Sequence, residues 1–152
     1  MAMDFKQADD GTVWATTGTT NIYGFHPGNS EPEVKQAFNV DFTFIPCLEK
    51  LDDGTMLIAA FYQPLMKMNI QTGKLTQMDI PGMERCIRRS VFIPTAIYQC
   101  MHGKVWIGTV SNGLLLYNPK TNEVRRMAGL SCSDVSSIEE DRQGNMWVST
   151  MN

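Results

Sequence analysis

Apolar and polar residues alternate in short runs along this chain, and clusters of glycine, asparagine and proline separate the runs. Val105 and Ile107 alternate with Trp106 and Gly108, and Leu115 and Tyr117 resume the same period a few residues later. A period of two sends successive side chains to opposite faces of a strand. Trp106 lies on the face opposite Val105 and Ile107, so both faces need cover, as in sheets stacked between neighbouring sheets. In the clearest stretch the pattern predicts strands at 105–109, 114–118, 124–127 and 135–141. No segment keeps apolar residues at i, i+3 and i+4 over ten positions, so no long helix is predicted.

The strand pattern repeats. Gly11, Gly54, Gly103 and Gly144 each open a similar phrase and lie 43, 49 and 41 residues apart. Trp14, Trp106 and Trp147, all the tryptophans of the chain, follow their glycine by three positions, and Leu57 takes that place in the second copy. Small residues always follow: Thr16 and Thr17, Ala59 and Ala60, Gly108 and Thr109, Ser149 and Thr150. Fourteen residues after the glycine come Phe25, Met68 and Tyr117, and then turn signals such as Asn118-Pro119. Apolar residues also recur nine and six positions before the next glycine, at Ile45/Leu48, Pro94/Ile97 and Val135/Ile138.

A repeat of 40–50 residues with four short strands is the pattern of a β-propeller blade. The expected fold is all-β, a partial propeller over 1–152 made of about three four-stranded blades plus one strand of a fourth. Counted from the glycine turns, the blades cover 9–51, 52–101 (the most degraded, with an insertion) and 102–142, and 143–152 supplies the further strand. Trp14, Trp106 and Trp147 are expected to be buried at equivalent places.

Composition narrows the function classes. Thirteen Lys+Arg against sixteen Asp+Glu give a net charge of −3, which removes the broad basic footprint of a nucleic-acid binder. The longest apolar run, 56–62, is far short of the roughly 18 residues of a membrane span. Residues 1–10 carry no basic region followed by an apolar stretch, so no secretory signal is expected there. Cys47, Cys86, Cys100 and Cys132 form no C-x-x-C pair and are expected to be scattered thiols packed as small hydrophobes.

Residues 103–122 and 135–150 resemble the two-component regulator propeller repeat, whose phrase runs V-x-x-I-x-x-D-x-x-G-x-x-W-x-G-T and then G-L-x-x-Y-x-P. Val135, Ile138, Asp141, Gly144 and Trp147 match its first part, and Gly113, Leu114, Tyr117 and Pro119 its second. The first copy matches less well, and the second least, with Leu57 for Trp and Met68 for Tyr. The resemblance implies the sensor region of hybrid histidine kinase/response regulators of gut Bacteroidetes. There, tandem propellers outside the inner membrane detect glycan fragments, and a membrane span, kinase and receiver domains follow. It implies a periplasmic, non-catalytic segment with an oligosaccharide ligand, and it carries over no binding residues.

Few residues stand out as chemistry. His26 and His102 both adjoin turns, as do Asp9, Asp10, Asp52 and Asp53, which lack the spacing of a calcium loop. No nucleophile motif and no phosphate loop occur, so no catalytic residue, metal or cofactor is expected. The insertion in the second copy carries Arg85, Arg88 and Arg89. Arginine pairs with the carboxylates of an acidic sugar or a partner protein, and loops beyond a minimal repeat often carry function. A solvated, tolerated insertion is the competing reading.

Two other functions stay open. One is a protein-interaction scaffold. The other is a propeller lyase of the kind that opens cyclic antibiotics, built on blades of similar phrase with a histidine base and a divalent ion. Three blades and a strand do not close into a ring of four to eight, so self-association is expected, with a homodimer favoured.

Overall fold

The computed structural model describes residues 4–17, 21–26, 28, 33–39, 47–86 and 92–151. The first sheet holds β1 (Asp4–Gln7), β2 (Val13–Thr16), β3 (Asn21–His26) and β4 (Glu33–Asn39). The second holds β5 (Cys47–Lys50), β6 (Met56–Ala59), β7 (Met66–Met68) and β8 (Leu75–Gln77). The third holds β9 (Pro94–Gln99), β10 (Val105–Thr109), β11 (Gly113–Asn118) and β12 (Glu123–Arg126). β13 (Val135–Glu140) and β14 (Met146–Thr150) form the fourth. Strands pair antiparallel with their neighbours in chain order, and α1 (Met83–Cys86) is a single turn. The fold is all-β, in keeping with a partial propeller. Residues 1–77 and 78–152 form two compact units, each with two of the sheets.

One hairpin recurs four times. In the first sheet Ala8 N–H donates to Thr12 C=O at 2.8 Å and Gly11 N–H to Ala8 C=O at 3.0 Å. The same pair of bonds joins Leu51, Gly54 and Thr55, then Cys100, Gly103 and Lys104, then Asp141, Gly144 and Asn145. The glycines sit at φ of +83°, +76°, +74° and +83°. That left-handed residue closing a three-residue hairpin loop is why the repeat is anchored on glycine.

The hairpin also corrects the expected phase. It joins the strand before each glycine to the strand after it, so every sheet begins one strand earlier than the glycine count. The strand expected to complete the third copy is β13, and it pairs with β14 through Ile138↔Val148 and Glu140↔Met146. The fourth sheet therefore has two strands where one was expected, and the boundaries at 9, 52, 102 and 143 fall inside the turns.

Within each unit, the tryptophan face of one sheet covers the apolar face of the next. In residues 1–77, Trp14 and Ile22 pack on Leu48, Met56, Ile58 and Met68. Lys6 Nζ pairs with Glu49 at 2.8 Å, and Asp4 accepts the Leu48 N–H at 2.8 Å. In residues 78–152, Leu114 and Trp106 pack with Val135, Ile138, Met146 and Val148. The small residue two places after the tryptophan is required there: a Cβ on Gly108 would lie 2.5 Å from Val135 Cγ1. Trp14 is 2% exposed, Trp106 is half-buried and Leu57 is fully buried. Trp147 departs from expectation at 65% exposed. Among the described residues no further sheet lies on its face, and its indole N–H donates instead to Asp141 Oδ2 at 2.9 Å.

The described cysteines Cys47, Cys100 and Cys132 are free thiols, and the first two are buried. Burial raises the Cys47 thiol well above its usual range. Among the described residues no helix is long and apolar enough to cross a membrane.

Candidate functional site

Cross-strand pairing places Tyr98, Trp106, Leu116 and Arg125 in one row across the third sheet. Alternation puts Lys104 on the same face as Trp106, and Asn118 and Glu123 on the same face one step along the sheet. The two-stranded fourth sheet packs against part of this face. Beside β12, Pro81, Gly82 and Arg85 around α1 complete a cleft of about 640 Å³ with Lys104, Leu116, Asn118, Glu123, Val124 and Arg125. A second hollow of about 250 Å³ shares Lys104, Leu116 and Arg125 and continues to Cys100, His102, Trp106, Glu140, Gly144 and Met146. The two form one groove with a cationic mouth over an apolar floor.

Arg85, Lys104 and Arg125 are all exposed. Arg85 approaches Glu84 only at 3.9 Å, an exposed contact that neutralises little. Among the described residues no ion pair engages Lys104 or Arg125. Glu123 accepts a hydrogen bond from the Thr121 hydroxyl at 3.0 Å, and Glu140 Oε2 accepts the Met101 N–H at 2.9 Å. Deeper in, Trp106 Nε1 and Glu140 Oε1 are buried without hydrogen-bond partners. The comparison with Trp147 explains the first. Trp147 reaches Asp141, the first residue of its hairpin turn, whereas the corresponding residue for Trp106 is Cys100, a poor acceptor.

The structure thus brings Arg85 together with Lys104 and Arg125, while Arg88 and Arg89 lie outside the described residues. His102 lines the inner hollow, and His26 ends β3, exposed. The acidic turns act as turns: Asp10 and Asp53 accept the N–H of Thr12 and Thr55 at 2.9 and 3.0 Å. Among the described residues no group of three His, Cys, Asp or Glu is placed to hold a metal ion. Sequence reasoning passed over Lys104, Arg125 and Glu140. The signal for Lys104 was its place directly after a turn glycine, where the other copies carry Thr12, Thr55 and Asn145.

Residues 129–152 match the family model described as Two component regulator propeller. None of the curated proteins matches the chain. Among solved structures, the extracellular domain of BT4673 from B. thetaiotaomicron, described as a hybrid two component system, is similar at 15% identity and a TM-score of 0.75, over 99% of this chain and 22% of its own. The corresponding domain of BT3049 has 16% identity and a TM-score of 0.73, over 98% and 21%. Virginiamycin B lyase from Staphylococcus aureus has 11% identity and a TM-score of 0.76, over 99% and 49%. The chain spans about a fifth of the length of the two sensor domains. β13, the turn at Gly144 and Trp147 all lie inside the stretch that matches the two-component regulator propeller model, on an all-β fold similar to that of known propellers.

Proposed function

We propose that this chain is a non-catalytic sensor segment, part of an extracellular or periplasmic propeller that recognises a glycan-derived ligand for a hybrid two-component system. The groove carries the reading: a polar, cationic rim and the half-buried Trp106 lining the inner hollow are what a sugar ring requires, and the repeat match supports the sensor context. The blades are committed to packing, and among the described residues no hydrogen bond joins the buried Cys100 thiol to His102 in the inner hollow, so we assign the groove to binding rather than turnover. A panel of oligosaccharides, titrated with and without EDTA, tests it. Metal-independent binding with the ligand recovered unchanged is expected. Product formation, or binding only with a divalent ion, favours a lyase, and silence across the panel while a protein partner binds favours a scaffold.

Self-association is part of the proposal. The face of the first sheet carrying Phe5, Val13, Ala15, Tyr23 and Phe25 corresponds in register to the faces that receive Trp14 and Trp106 in the following sheets. Phe5 is 60% exposed. A second copy presenting Trp147 fits that face by the same pairing of tryptophan with apolar strand residues.

A further inference from the structure

Resting on the sensor reading, we infer that the groove selects a hydroxylated carboxylate, an acidic sugar of the uronic-acid class. Its carboxylate is held by Lys104, Arg125 and Arg85, and a ring hydroxyl lies toward Trp106 and Glu140. The cations come first. Three exposed positive side chains line a mouth that holds one carboxylate, Glu123, and among the described residues no ion pair engages Lys104 or Arg125, so the mouth keeps an excess of positive charge for an anion.

The orphaned pair is independent of that charge. Trp106 Nε1 can only donate and an ionised Glu140 Oε1 can only accept, and both are buried without partners in the wall of the inner hollow. A hydroxyl both donates and accepts, so the hydroxyls of a sugar ring suit each of the two atoms. Glu140 is tied by one bond, from the Met101 N–H, which leaves its carboxylate able to turn toward an entering group. The half-buried indole of Trp106 offers the apolar surface that the C–H face of a sugar ring covers.

The equivalent groove in the first unit supplies the contrast. About 570 Å³ in volume, it lies beside the matching turns and includes Asp9, Asp10, Trp14, Lys50 and Asp53. The second sheet has all four strands there, so a groove at this place belongs to the repeat and is not simply left by a short neighbouring sheet. Lys50 is already paired with Asp9 at 2.5 Å. Asp10 stands where the second unit has His102, and Thr12 where it has Lys104. One place in the repeat is acidic and internally paired in one unit, and basic and open in the other.

Calorimetry on the whole chain at low salt tests the inference, with α-1,4-linked digalacturonate and its uncharged counterpart digalactose as probes. The acid is expected to bind at least about tenfold more tightly, with affinity falling as salt rises. Lys104→Met and Arg125→Gln should each weaken it about tenfold, the loss of one charge-assisted contact. Lys50→Met in the other groove should leave it unchanged. Equal binding of digalactose overturns charge selection while the sensor reading stands. Acid binding indifferent to Lys104 and Arg125 overturns the site. Silence toward both probes overturns the inference, and the sensor reading falls with it only if the wider panel is silent too.

Discussion

Trp106 and Trp147 stand at the same register position in successive sheets, yet Trp106 packs against the fourth sheet while Trp147 is 65% exposed and bonded to Asp141. Position in the repeat is shared, and the neighbour is not.

Truncation should separate the two. Trp14→Ala, which empties a site 2% exposed, is expected to cost roughly 3–5 kcal/mol, and Trp106→Ala about 3 kcal/mol. Trp147→Ala should cost less than about 1 kcal/mol in the monomer. Urea unfolding followed by circular dichroism measures all three, and an equal loss at Trp147 would mean that its face is covered.

The Asp141 carboxyl should titrate unusually low. Its hydrogen bonds from the Asn145 side chain and the Trp147 indole, then from the Asn145 and Gln143 backbone, lower it to about 2. A carboxyl depressed on folding stabilises the fold above its unfolded value of 3.8 and loses that contribution as pH falls through about 2. The Trp147 indole N–H resonance should therefore hold its position from neutral pH down to about pH 4 and shift with a midpoint near 2. A midpoint near 4 would mean that the turn is not formed.

Gly108→Ala should destabilise the second unit by about 1–3 kcal/mol, because the added methyl meets Val135 Cγ1 at 2.5 Å and its Cβ at 3.0 Å. Val135→Ala in the same chain should recover part of that loss, a coupling readable in a double-mutant cycle. Additive losses would show that the two sheets yield independently.

Light scattering at micromolar concentration should report a dimer, in line with the proposed pairing of Trp147 with the Phe5 face. Phe5→Glu and Trp147→Glu change exposed positions and should each shift the population toward monomer, with the unfolding midpoint falling only to that of the unsubstituted chain diluted to monomer. A stable monomer at that concentration, with Phe5 and Trp147 open to solvent, would overturn it.

What the sequence determined by itself is local. A glycine held at positive φ in each turn and period-two runs on either side define the hairpins, and strands 105–109 and 135–141 fall on β10 and β13 within a residue, because backbone sterics and alternation act over a few residues. The family resemblance likewise rests on contiguous residues. Tertiary structure decided the rest. It assigned β13 to the fourth sheet through the turn bonds of Asp141, Gly144 and Asn145, and it left Trp147 exposed while burying Trp14. It placed Arg85 of α1 in the lining of one cleft with Lys104 and Arg125, which lie 19 and 40 positions further along the chain. Burial and convergence depend on which sheet comes to lie against which, and no window of neighbouring residues carries that information.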